Sequence, residues 1–194
     1  MNRAVTAMAA SVLLRYPSAP VFAALPVVRA ALPPSSPLSL VERHLSSGDP
    51  TALAVEYVDT FDLRRRSCLH LSYYTAGDTR KRGEALLSFS AVYRAAGFSV
   101  DGGELPDYLP AVLELAANIG DPAWELLRDH RVGLDLLSQA LQGSVYRPVV
   151  DAVRDALPAA TPTDLAAVAT LVRSGPPHEE VGLQPFSLSS RGRR

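Results

Sequence analysis

Six carboxylates stand between residues 101 and 125, at Asp101, Glu104, Asp107, Glu114, Asp121 and Glu125, with no lysine or arginine among them. A formal charge of −6 over that length suits a ligand bearing guanidinium groups, because a carboxylate accepts the two parallel N–H bonds of an arginine fork. An amphipathic peptide helix is held in a groove through its apolar face, and carboxylates at the rim orient it. Glu104, Pro106, Asp107, Tyr108 and Leu109 are the candidate contacts, with Pro106 and Pro110 restricting the backbone that presents them. Tyr57 and Phe61 are candidate aromatic lining, although an aromatic residue at helical spacing serves a core more often. Capping is the plainer use for Asp107 and Asp121, which stand near expected helix starts.

Residues 62–84 carry the opposite pattern. Arg64, Arg65, Arg66, Arg80, Lys81 and Arg82 face only Asp62, Asp78 and Glu84. Arg64, Arg65, Arg80 and Arg82 are therefore candidates for an anionic cofactor or an acidic partner, since the planar donor fork of arginine matches phosphate and carboxylate. Pairing of Arg80 and Arg82 with Asp62 or Glu84 is the simpler alternative. Bond-making chemistry has little support. The one cysteine, Cys68, and the four histidines at 44, 70, 130 and 178 show no metal-ligand spacing. Serine-elbow, P-loop and dinucleotide glycine patterns are also missing, so no catalytic residue and no metal site is assigned.

The elements that must position these groups are legible in the rest of the chain. A length of 194 residues with 47% hydrophobic content supports one domain with a substantial core. The net charge of −1 removes the drive for general binding to nucleic acid or anionic membrane. The apolar run from Ala4 to Leu14 has the length of a signal-peptide core, but its spacing is that of an amphipathic first helix, and Arg15 ends it without a clean cleavage site. No prolines fall between residues 51 and 105. Gly48-Asp49-Pro50, Gly77-Asp78, Gly120-Asp121-Pro122 and Thr161-Pro162-Thr163-Asp164 read as helix starts. Between them, stripes such as Leu53/Tyr57/Phe61, Leu86/Leu87/Phe89/Tyr93 and Leu109/Val112/Leu113/Ala116 recur at helical spacing. One further helical run covers 122–142, interrupted by Gly133, while Cys68–Tyr74 fits a short helix or turn. The expectation is an all-α, compact single-domain helical bundle of about 8–10 helices over residues 1–174, with 175–194 as a mobile tail.

The ordered segments Glu56-Tyr57-Val58-Asp59-Thr60-Phe61-Asp62, Gly77-Asp78-Thr79-Arg80-Lys81-Arg82-Gly83 and Glu104-Leu105-Pro106-Asp107-Tyr108 resemble the NarJ family, the assembly chaperones of respiratory nitrate reductase. Leu14-Arg15-Tyr16-Pro17 is similar to that family as well, and the likeness extends over roughly residues 9 to 157. The resemblance implies a TorD-like helical chaperone fold and no enzymatic activity. It also implies a cytoplasmic protein that binds the apo catalytic (alpha) subunit of nitrate reductase through that subunit's N-terminal, twin-arginine-like peptide. On that basis the chaperone supports insertion of the molybdenum cofactor before membrane docking. The cofactor belongs to the client and none is bound permanently, with no nucleic acid partner, no direct membrane insertion, and a monomer as the favoured state. Tyr108 stands where family members commonly have histidine, which removes an imidazole role there. Two alternatives remain open on the residues: a carrier that binds the anionic cofactor through the arginine triplets, and a general helical interaction module.

Overall fold

The computed structural model describes residues 2–100 and 103–177, so Asp101 and the segment 178–194, which includes most of the expected tail, lie outside the described residues. Among the described residues eleven α-helices follow one another: α1 Arg3–Leu13, α2 Ala19–Ala31, α3 Leu38–Ser47, α4 Pro50–Tyr57, α5 Leu71–Ala76, α6 Arg80–Ala95, α7 Leu109–Ile119, α8 Asp121–Asp129, α9 Arg131–Ala140, α10 Arg147–Asp155 and α11 Pro162–Ser174. A π-turn at Val58–Asp62 and a 3-10 turn at Arg65–Ser67 link α4 to α5. The described residues contain no strand, only one isolated antiparallel bridge between His70 and Tyr108. The all-α expectation holds. The helix count passes the expected range because the run 122–142 divides at His130 into two helices.

Gly133 does not break that run but sits buried inside α9. A Cβ there would stand 3.1 Å from the Tyr74 side chain and 3.2 Å from Leu71 O, so the small residue lets α5 and α9 approach closely. The predicted helix starts are realised by different means. Asp49 caps α4, its carboxylate accepting from Ala52 N at 2.9 Å, and Thr161 and Asp164 form a reciprocal capping box at α11. Asp121, by contrast, lies inside α8, and Gly120 at φ +71° is the cap residue. Asp78 also makes no cap; Thr79 precedes α6, and Asp78 pairs with Arg82.

The core is continuous. α1 lies centrally, packed chiefly on α7 and also on α2, α3 and α10. Ala7, Ala10, Leu13 and Leu14 of this segment are fully buried, and small residues at 7 and 10 let α7 come near. Leu109, Val112 and Leu113 fill the facing side, each such leucine or valine contributing about 1.5–3 kcal/mol on burial. The α6 stripe is narrower than its sequence suggests. Phe89 and Tyr93 are buried, but Leu87, expected in the core, is 68% exposed. α9 and α10 are further tied by Arg154, whose Nε donates to Asp135 at 2.6 Å and Nη1 to Asp151 at 2.8 Å. Among the described residues, no helix is long and apolar enough to cross a membrane.

Candidate functional site

The 104–114 stretch is held in place by a buried clasp at Asp107. Its side chain is 0% exposed. Oδ2 accepts from Ser72 N at 3.1 Å and from Ser72 Oγ at 2.5 Å, and Oδ1 accepts from His70 Nδ1 at 3.0 Å. The backbone repeats the connection, with Leu71 N donating to Asp107 O at 3.1 Å and Leu109 N donating to Leu69 O at 2.8 Å. Asp107 is thus a cap, but for α5 rather than for its own helix. Burial pushes its carboxyl up, and the bonds from His70 and Ser72 outweigh that and hold it below the usual carboxylate range. Asp107 therefore cannot reach a ligand's guanidinium, contrary to the expectation that it lies at a groove edge. Leu109, also expected at the groove, is fully buried in the core. Pro106 is half-buried beside it. His70, which the sequence left without a role, positions the clasp and stacks on Tyr108 with ring centroids 5.5 Å apart.

Tyr57 and Phe61 are likewise core residues, 4% and 6% exposed. Their rings lie 4.8 Å apart and pack around Tyr146. Phe61 belongs to the π-turn, whose extra residue per turn re-aims the side chains that follow α4. Tyr57 acts on the site indirectly. Its hydroxyl donates to Leu14 O at 3.0 Å and meets the Tyr108 hydroxyl at 3.3 Å, which fixes the end of α1 against the start of α7. Burial and the neighbouring Tyr108 push the Tyr57 phenol far above its ordinary value, so it stays a neutral donor.

Outside this frame lies a cleft of about 490 Å³ between the end of α1, the start of α2, the end of α6 and one face of α7. Tyr16 and Phe98, 47% and 46% exposed, stand at its sides with Val100, and Tyr93 lies deeper. Glu104, Tyr108 and Glu114 supply its polar side, and Arg15 donates from Nη2 to Glu114 Oε2. Burial and the negative charge of Glu104 raise the Tyr108 phenol. The Tyr93 hydroxyl is buried and has no hydrogen-bond partner among the described residues, an orphan donor of the kind a ligand can satisfy. Chemically the cleft offers aromatic faces, two carboxylates and unsatisfied phenol capacity. These are groups suited to holding a ligand with an apolar face and a cationic end.

Glu104 and Tyr108 are the expected residues that the fold brings to this cleft. Of the other acids, Glu114 is engaged by Arg15, and Asp121 approaches Arg3 at 3.6 Å. Three of the six acids, Asp107, Glu114 and Asp121, are therefore engaged within the chain. Arg15, Phe98 and the exposed face of Tyr16 were not among the expected contacts. Their signal was the Leu14-Arg15-Tyr16-Pro17 motif and an aromatic residue immediately after the Gly97 helix stop.

The arginine triplets lie elsewhere. Arg64 and Arg65 are exposed at the 3-10 turn and make no ion pair among the described residues; Arg64 borders a wide depression of about 820 Å³ that also includes His44, Glu56 and Asp59. Arg80 opens α6 and is exposed. Arg82 pairs with Asp78 at 3.3 Å rather than with Asp62 or Glu84. Cys68 is half-buried, and burial raises its thiol, so it is poorly set to be a nucleophile. Among the described residues no group of three histidine, cysteine or acidic side chains could hold a metal ion.

A family model described as the nitrate reductase delta subunit matches residues 26–146, well over half of the chain and including the clasp and most of the cleft. The chain belongs to that family. Among its relatives is a nitrate reductase-like protein NarX of Mycobacterium tuberculosis, 42% identical over 135 residues, which are 68% of this chain and 21% of that protein. The chain thus spans about a fifth of the length of that relative. The nitrate reductase molybdenum cofactor assembly chaperone NarJ of Escherichia coli is 36% identical over 106 residues, covering 54% of this chain and 45% of that one. A Bacillus subtilis protein carrying the NarJ assembly-chaperone name is 36% identical over 122 residues, 60% of this chain and 66% of that one. A crystal structure of a protein assigned to redox enzyme maturation in Archaeoglobus fulgidus superposes with a TM-score of 0.63 at 22% identity, covering 80% of this chain and 93% of the other. That likeness is one of fold, and it agrees with the helical architecture implied by the NarJ-like motifs.

Proposed function

We propose that the protein is a dedicated assembly chaperone for the molybdenum-containing catalytic subunit of a nitrate reductase, and that the cleft between α1, α6 and α7 receives that subunit's N-terminal peptide. The observation that carries this is the composition of the cleft: exposed Tyr16 and Phe98 for an apolar helix face, beside Glu104 and Glu114 for a guanidinium. The names of the NarJ relatives support the client class. In this role the chaperone binds and releases a peptide and makes no covalent bond, and the molybdenum cofactor is the client's. Calorimetric titration of the intact protein with a synthetic N-terminal peptide of the catalytic subunit tests it. Binding should show a negative heat-capacity change from apolar burial and weaken with salt; no heat at high micromolar peptide would refute it.

Arg64 and Arg65, exposed and without an ion pair among the described residues, favour a second reading, direct handling of the anionic cofactor. Pterin copurifying with the protein and lost on replacing both arginines would support that reading. Protein that carries none when made alongside an active cofactor supply would count against it.

A further inference from the structure

The cleft already holds one guanidinium. Arg15 leaves the end of α1 and donates to Glu114 on α7, and both side chains line the same cleft as Tyr93, Tyr108 and Glu104. The charge of Arg15 favours the ionised forms of both the Tyr93 and the Tyr108 phenol, against the burial that raises them. The pair is open to solvent, with side chains 42% and 50% exposed, and ion pairs so exposed are weak and exchange readily. Compare Arg154, whose partner Asp135 is only 6% exposed and which binds a second carboxylate and Ser138 as well. Arg154 is built to stay, whereas Arg15 has a single carboxylate among the described residues and is otherwise open to solvent. In the same cleft the Tyr93 hydroxyl lacks a partner among the described residues, so Arg15 does not complete the polar set of the cleft.

We infer that Arg15 is an internal stand-in for the ligand's guanidinium: it occupies Glu114 while the cleft is empty and yields it to an incoming arginine, so it sets how strongly the cleft prefers arginine over an uncharged side chain. This rests on the peptide-binding role proposed above. In the exchange one guanidinium replaces another on Glu114 and Arg15 moves into water, so the net gain at Glu114 is small in the native protein and the salt-sensitive part of binding falls to Glu104. A ligand that brings no cation leaves Arg15 where it is and binds through apolar contact alone. Removing Arg15 frees the carboxylate and makes the cleft more selective for arginine.

The test uses the full chain and two 12-residue amphipathic peptides, identical except for arginine or citrulline at the first helical turn. Arg15→Gln should bind the arginine peptide about 3- to 5-fold more tightly than the native protein, with little change for the citrulline twin. Arg15→Lys, which keeps the charge but loses the fork, should fall between. In a Glu114→Gln background the effect of Arg15→Gln should vanish. Weaker binding of the arginine peptide by Arg15→Gln would overturn the inference by making Arg15 a ligand-holding residue. An equal gain for both twins would overturn it too, by showing a cleft merely opened. If neither peptide binds any variant, the peptide role of the cleft fails, and the stand-in is judged on N-acetyl-arginine methylamide by NMR. Shifts of the Glu114 and Tyr93 signals in Arg15→Gln but not in the native protein would uphold it, and their absence in both would overturn it.

Discussion

Asp107 and Glu104 are separated by two residues, and the fold gives them opposite surroundings. Asp107 is 0% exposed and its carboxylate is bonded to Ser72 and His70; Glu104 is exposed at the cleft beside Tyr108. One short acidic segment thus serves two purposes. The inward carboxylate joins α5 to α7 and sets where the cleft wall stands, and the outward one stays exposed where the proposed peptide would meet it. Local charge density says little about function until each carboxylate is assigned a partner.

That division is most easily broken from the inside. Asp107→Ala removes the acceptor for a buried backbone N–H, a hydroxyl and an imidazole, and should cost about 3 kcal/mol in urea unfolding. A loss below about 1 kcal/mol would show that the clasp is not a structural support.

Protonation releases part of the same stabilisation. Because the Asp107 carboxyl lies below its unfolded value, its contribution is fully present above the ordinary carboxylate pKa of about 3.9 and is lost as pH falls through the folded value. Burial also lowers His130, so its neutral form is favoured by folding, and that contribution is lost as pH falls through and below about 6.5. Urea midpoints between pH 3 and 7 should therefore decline toward acid in two steps. Asp107→Asn should flatten the lower and His130→Gln the upper. Stability that rises as pH falls across this range would contradict both assignments.

Tyr57 lies between the two regions, and Tyr57→Phe separates its hydrogen bonds from its packing. Loss of its bonds to Leu14 and Tyr108 should cost about 1 kcal/mol and weaken peptide binding only modestly, since the ring stays packed on Phe61 and Tyr146. Glu104→Lys has the smallest expected effect on stability, within about 0.5 kcal/mol for a surface change. Its effect on peptide affinity should exceed that of Tyr57→Phe.

Much of this architecture was legible in the chain. Helical spacing, the Asp49 cap and the Thr161/Asp164 capping box gave the elements and several of their boundaries. The division at His130 was not legible, because Gly133 looks like an interruption until Tyr74 is seen to need the space. The site was read less well. Period and composition locate Glu104 and Tyr108 in an important segment, but only tertiary contacts turn Asp107 and Leu109 inward and bring Arg15, 99 residues away in sequence, onto Glu114. Tyr57 and Phe61 belong to the same family-like motif, yet they support the cleft from behind.

The most direct measurement is calorimetric titration of the nitrate reductase catalytic subunit's N-terminal peptide into the native protein, Glu104→Lys and Asp107→Asn, with a melting curve for each. Glu104→Lys should lose affinity while melting as the native protein does, and Asp107→Asn should melt lower but, while folded, bind the peptide nearly as well. Binding abolished in a fully folded Asp107→Asn, with Glu104→Lys unaffected, would contradict this division of roles.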